Sequence, residues 1–235
     1  LDKPLGFQMD SARISYLVED TNAKKQKSAQ VIVSTDEAFN EVVYDSSMRD
    51  DIDSVSFTLP IKLKYCTRYY WKVKVIGDNG EVAESEPTWF ETAKSPDEPW
   101  KGQFISQTFD KTIHPVFYRN INISKKVKKA RAYALGLGVY ELYLNKQKVG
   151  DEYLLPGIHG YDSWLQYQTF ELDLEIGDNL FEARLGEGWY KSRYGLKSKT
   201  SESKDSREYA FIAEIQIEYE DGSKELIPTD LDWKA

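Results

Sequence analysis

Apolar and polar side chains alternate, one on and one off, along much of this chain. In YELYLN, Tyr140, Leu142 and Leu144 face one way and Glu141, Tyr143 and Asn145 the other. In FIAEIQIEYE the same rule sets Phe211, Ala213, Ile215, Ile217 and Tyr219 against Glu214, Gln216 and Glu218. TFELDLEI repeats it with Phe170, Leu172, Leu174 and Ile176. FEAR does so with Phe181 and Ala183 inward and Glu182 and Arg184 outward. A period of two belongs to a β-strand with one face buried. Asp78-Asn79-Gly80, Gly177-Asp178-Asn179 and Asp221-Gly222 supply turns between the strands. Helical spacing is nearly absent. Short strands separated by such turns predict an all-β chain of β-sandwiches.

The segment ETAKSPDEPWKG interrupts the pattern with charge and with Pro96 and Pro99. Proline removes a ladder donor, so the segment reads as a linker. It divides the chain into a sandwich over residues 1–95 and a second, jelly-roll-like one over 100–235. A second interruption, KSKTSESKDSRE from Lys197 to Glu208, has no apolar residue and predicts a mobile surface loop.

Composition narrows the function. The 235 residues carry a net charge of −8 without a basic block, which argues against binding a phosphate backbone. No apolar run approaches the roughly 18 residues that span a bilayer, so no membrane segment is expected. The start, LDKPLGFQMD, lacks the build of a signal peptide, and the compartment stays open between cytoplasm and exterior. A single cysteine, Cys66, makes no internal disulfide. Its sequence neighbours include no histidine that could activate it. His114 and His159 lack the spacing of metal ligands, so no metal or cofactor is expected.

The stretch LGEGWYKSRYG, Leu185 to Gly195, is the one candidate for chemistry. Glycines let a backbone come close to another surface, and a tryptophan beside them offers a flat apolar plate with one N–H donor. That combination suits the face of a sugar ring. It suits equally a loop closing the edge of a sandwich or resting on a neighbouring domain, which is the expectation for Trp189. The candidate carbohydrate-binding residues are Glu187, Trp189 and Tyr190, with Tyr140 and Asn145 from the preceding strand and turn. Glycosidic hydrolysis needs two carboxyl groups roughly 5–10 Å apart. Among 39 acidic residues a pair can always be found, so no catalytic residue is assigned, Glu141 and Glu187 included.

Two resemblances extend this reading. Leu63, Thr67 and Tyr69 carry the Leu-x-x-x-Thr-x-Tyr spacing that resembles the tyrosine corner of fibronectin type III domains, with Tyr65 at the usual proline. Further on come Gly138, Tyr140-Glu141, Leu144-Asn145, Val149-Gly150-Asp151, Leu154, Pro156-Gly157, Tyr167, Thr169, Gly177, Asn179 and Gly188-Trp189-Tyr190. This run resembles the N-terminal β-sandwich region of bacterial α-L-rhamnosidases. Lys146 stands where the family has glycine, which weakens the expectation of a tight two-residue hairpin. Ile158 replaces an aromatic. Gly136-Leu137-Gly138 has no carboxylate where related modules bind rhamnose through calcium.

The resemblance implies a parent enzyme that releases terminal α-L-rhamnose with inversion, through carboxyl groups on a downstream (α/α)₆ barrel. This chain is then expected to be a non-catalytic N-terminal fragment. It would dock on that barrel and meet rhamnosides through the full-length enzyme. The alternative is a protein-interaction module of a surface protein built from the same sandwiches.

Overall fold

The computed structural model describes residues 2–161, 163–191 and 208–235, so the stretch predicted as a mobile loop lies almost wholly outside the described residues. The chain falls into two compact units, Leu1–Glu98 and Pro99–Ala235.

Among its described residues the first unit holds seven strands. They are β1 (Arg13–Ile14), β2 (Gln26–Ser34), β3 (Val42–Asp45), β4 (Phe57–Thr58), β5 (Arg68–Gly77), β6 (Val82–Glu84) and β7 (Thr88–Glu91). One antiparallel sheet runs β3-β2-β5-β6, with β7 also on β5, and β1 pairs β4. The core is made by the inward alternates Ala29, Val31 and Val33 of β2 and Tyr69, Val73 and Val75 of β5, packed with Ile14, Ile52, Leu59 and Phe90. The tyrosine corner is present: the Tyr69 hydroxyl accepts the Lys64 N–H at 2.8 Å. The Tyr69 ring stacks on Phe90 at 5.3 Å. Thr92 closes the same corner by donating to the Lys64 carbonyl at 2.7 Å and accepting the Thr67 N–H at 3.0 Å.

The second unit is a two-sheet sandwich. Its strands are β8 (Ile105–Ser106), β9 (Val116–Ile123), β10 (Val127–Leu137), β11 (Val139–Leu144), β12 (Gln147–Val149), β13 (Gln168–Glu171), β14 (Gly177–Gly186), β15 (Ala210–Tyr219) and β16 (Lys224–Pro228). One sheet runs β13-β10-β15-β16 with β8 beside β15, and the other β12-β11-β14-β9. Between them Phe117 faces Phe211 at 6.3 Å, and Trp233 meets Phe181 at 5.8 Å and Phe211 at 6.0 Å. The Trp233 indole N–H donates to the Pro228 carbonyl at 3.0 Å, so a large apolar plate enters the core with its donor satisfied. Alternation gave no hint of this residue.

Three expectations change. Glu214 was placed on the outer face, yet it is 1% exposed. The segment after the linker crosses that face, and the backbone N–H groups of Lys101 and Gly102 donate to Glu214 Oε1. A carboxylate is buried there because unpaired backbone donors need an acceptor. Ile176 was grouped with the inward residues, but β13 ends at Glu171 and Ile176 is 69% exposed beside the turn at Gly177. The hairpin at Asn145-Lys146 is tight after all: both residues take positive φ, 51° and 70°, as a type I′ turn requires. The Asn145 amide holds it. Its Oδ1 accepts the Leu180 N–H at 2.9 Å and its Nδ2 donates to Asn179 Oδ1 at 3.2 Å.

Tyr69→Phe removes the acceptor of the Lys64 N–H. The expected loss in the first unit is about 1 kcal/mol, rising towards about 3 kcal/mol if the donor stays dry. Urea denaturation followed by a probe in that unit measures it, and an unshifted midpoint would deny Tyr69 its corner role.

Candidate functional site

β14 ends in the loop singled out by sequence. Gly186 and Glu187 lead into a single helical turn, α1, Gly188–Lys191. Its position is set by two close backbone approaches. Gly138 has φ of +127°, and a Cβ there would lie 2.5 Å from the Gly186 carbonyl oxygen and 3.3 Å from the Tyr209 ring. Gly188 has φ of +50°, and its Cβ would stand 2.3 Å from Val139 Cγ1. Only glycine fits either position, and the loop is pressed onto the start of β11.

Leu185 continues the inward face, as alternation predicts, but Trp189 does not enter the core; it is half-buried in α1. The residue that closes this end of the sandwich is Tyr209. It is fully buried, and its hydroxyl meets no hydrogen-bond partner among the described residues. The Lys191 ammonium sits 3.9 Å from the Tyr209 ring centre and donates to the Lys111 carbonyl at 2.7 Å. Burial first, and then the negative charge of Glu187, push the Tyr209 hydroxyl pKa up.

On the other side of α1 the rings form a chain. Tyr190 meets Tyr161 at 5.1 Å, Tyr161 meets His159 at 5.5 Å, and His159 meets Trp164 at 5.2 Å. His159 is 6% exposed, and neither ring nitrogen has a hydrogen bond of good geometry among the described residues. Burial lowers its pKa, with the Pro156 carbonyl pulling the other way.

Of the residues expected to meet carbohydrate, Glu187, Trp189 and Tyr190 share this loop, with Glu187 exposed. Tyr140 lies beneath it in the core. Its hydroxyl is shared between the Ala134 carbonyl at 2.9 Å and Gln168 Oε1 at 2.5 Å. Burial raises its pKa well above the usual phenol range. Asn145 is at the far end of β11 from Val139, about 20 Å away at strand rise, with its amide used by the turn. Glu141 faces outward, accepting the Tyr143 hydroxyl at 2.7 Å opposite Arg184, whose guanidinium covers the Tyr143 ring at 3.8 Å. Sequence reasoning missed His159, Tyr161, Trp164, Lys191 and Tyr209. The aromatic spacing of IHGYDSW was the signal for the first three.

Comparison with known proteins accounts for both units. Residues 1–95 match the model of the Rha78A-like, N-terminal immunoglobulin domain, and residues 125–235 that of the alpha-L-rhamnosidase N-terminal domain. An alpha-L-rhamnosidase of Formosa agariphila is 27% identical over 98% of this chain and 28% of its own length. The structure of alpha-L-rhamnosidase from Dictyoglumus thermophilum superposes with a TM-score of 0.79 at 28% identity, over 99% of this chain and 28% of that one. Native alfa-L-rhamnosidase from Aspergillus terreus shares the fold, with a TM-score of 0.86 at 24% identity over 99% and 28%. The chain thus spans little more than a quarter of the length of each of these three relatives.

Gly138→Ala is expected to destabilise the second unit by at least about 2 kcal/mol, since positive φ and a backbone clash act together. An unchanged melting temperature would refute the close approach. His159 yields a pH dependence. Its folded pKa is depressed, so the stability it contributes is present above the ordinary imidazole pKa and is lost as pH falls through the folded value. Tryptophan fluorescence followed from about pH 8 to about pH 4 should show a step near or below the ordinary imidazole pKa of about 6.5. The step should vanish in His159→Phe; its survival there would assign it elsewhere.

Proposed function

We propose that this chain, the N-terminal non-catalytic region of an α-L-rhamnosidase, serves a parent enzyme that hydrolyses terminal α-L-rhamnose from larger glycosides. The observation that carries this reading is the alignment of almost the whole chain with about a quarter of an α-L-rhamnosidase. The remainder of such a protein is where the reacting carboxyl groups belong. Within this chain neither Glu141 nor Glu187 suits the task. Glu141 is engaged by Tyr143 on the outer face of β11, and Glu187 is exposed in the loop. Inverting hydrolysis needs one carboxyl group as acid and another activating a water across the sugar.

In this reading the second unit has two roles. It docks on the catalytic part, for which the exposed apolar side chains Leu154 and Ile158 provide contact area. The α1 loop with Glu187, Trp189 and Tyr190 contacts carbohydrate in this reading. The first unit is a spacer.

The purified chain is expected to leave p-nitrophenyl α-L-rhamnopyranoside intact, while the full parent polypeptide releases nitrophenol. Turnover by the chain itself, abolished by Glu141→Gln or Glu187→Gln, would overturn the accessory role. A parent inert towards every rhamnoside would overturn the activity.

A further inference from the structure

We infer that Asn79 is a self-modifying site, where the chain's own backbone converts the asparagine to aspartate and isoaspartate and so loosens one end of the first unit. The inference does not depend on the carbohydrate reading above. Asn79 is the one asparagine of this chain that is followed by glycine. Asp78, Asn79 and Gly80 form the exposed three-residue loop between Gly77 at the end of β5 and Glu81. The Gly77 N–H donates to the Glu81 carbonyl at 2.8 Å, and the Gly80 N–H to the Gly77 carbonyl at 3.0 Å. Gly80 takes a φ of +86°, as the last position of such a loop requires. A Cβ there would meet nothing within 4 Å, so no neighbouring group screens the Gly80 nitrogen from that side. Asn79 Oδ1 accepts the Glu81 N–H at 3.0 Å, which draws electron density from Cγ.

Asparagine is a thermally labile side chain, and this one has a nucleophile next to it. When the turn opens briefly, hydroxide takes the proton of the Gly80 N–H, and the nitrogen attacks Asn79 Cγ. A C–N bond forms, the Cγ–Nδ2 bond breaks, and ammonia leaves with a proton from water. The cyclic succinimide is then opened by a second water. Attack at Cγ gives aspartate. Attack at the main-chain carbonyl carbon gives isoaspartate, whose backbone is one atom longer.

The other turn of this kind, Asp221-Gly222, is protected. Asp221 accepts the Ser223 hydroxyl at 2.5 Å, the Ser223 N–H at 2.9 Å and the Lys125 ammonium at 2.9 Å. These partners, the Ser223 hydroxyl foremost, hold its carboxyl well below the usual range, and an ionised carboxylate repels an attacking amide anion. Asn179 is fully buried, with its Nδ2 donating to the Glu175 and Gly177 carbonyls.

The Asn79 loop is also a mooring. Asp78 accepts the Lys24 N–H at 3.0 Å and donates its own N–H to the Lys25 carbonyl at 3.0 Å. Glu81 accepts the Thr21 hydroxyl at 2.5 Å and the Asn22 N–H at 3.0 Å. Thr21, Lys24 and Lys25 wall a cleft whose other lining includes Gly77, Val82 and Ala83. Isoaspartate puts an extra atom and a third negative charge between Asp78 and Glu81. The loop then loses the spacing that lets both residues hold Thr21 to Lys25.

The test ages the 235-residue chain for weeks in mildly alkaline buffer, folded and in urea. Peptides are mapped by mass spectrometry, with electron-transfer fragmentation to identify isoaspartate. The peptide holding Asn79 is expected to gain the mass difference between water and ammonia in the folded chain, and faster in urea, where the Gly77 carbonyl no longer holds the Gly80 N–H. The peptide holding Asp221 should stay aspartyl in the folded chain. The aged fraction, separated by anion exchange, should show faster hydrogen exchange at the Asn22 and Lys24 amides than the fresh chain. Asn79→Asp adds the charge without the extra atom and should loosen these amides less. A folded chain whose Asn79 stays intact while the urea sample converts would overturn the site. Conversion with unchanged exchange at Asn22 and Lys24 would overturn the loosening.

Discussion

The contact on which the functional end of the second unit depends is a meeting of backbones. The start of β11 and the end of β14 approach so closely at Gly138 and Gly186 that a single added methyl group would lie 2.5 Å from a carbonyl oxygen. Register then follows: Val139 faces Gly186, Tyr140 faces Leu185, and pairing continues to Leu144 and Phe181. With the strand ends fixed, the loop must leave β14 directly over β11, and Gly188 allows it to lie on Val139. This is why Trp189 does not plug the sandwich. The loop is too close to β11 to fold a large indole under itself, and the space at the end of the core is taken from the other sheet by Tyr209.

What alternation could reveal was which face of a regular strand points inward. It succeeded for Phe181 and Ala183, for Phe211 to Tyr219, and for Tyr140 to Leu144, because each lies in a paired strand where the period is strict. It failed where a third element covers the outer face or where a strand stops. Glu214 has the pattern of a solvated residue and the environment of a buried one, since Lys101 and Gly102 bring their N–H groups across it. Ile176 has the pattern of a core residue and lies past the strand's end. The Asn145-Lys146 turn shows a different limit. Glycine is preferred there by roughly 1 kcal/mol, and the fold tolerates lysine because asparagine ties the turn to Asn179 and Leu180.

The candidate site was half legible for a related reason. Glycine next to an aromatic residue is a local signal, and it located α1. The ring chain from Tyr190 to Trp164 joins positions 26 residues apart, from 164 to 190. No periodicity links a loop to a helical turn across that distance. His159 was set aside because it has no metal partner at ligand spacing, a criterion that bears on metal sites alone. An imidazole buried with no hydrogen bond of good geometry among the described residues is costly, since an unpaired buried polar group loses about 1–3 kcal/mol. That cost is carried by the apolar contacts of the cluster.

The geometry also separates two kinds of aromatic residue that composition counts alike. Trp233 and Phe211 are held on every side by the opposing sheet, so each is a fixed part of the core. Trp164 is held on one side only. A protein gains little folding energy from a tryptophan left half exposed, because only the buried part of its area contributes. The covered half of Trp164 rests on Gly160, where a Cβ would stand 2.9 Å from the indole Nε1, and against His159 at 5.2 Å. Arrangements of this kind are stable only because the surrounding sandwich, with its aromatic core between two paired sheets, supplies the surplus. The rigid β-framework and the exposed ring therefore belong to one design, in which the first makes the second affordable.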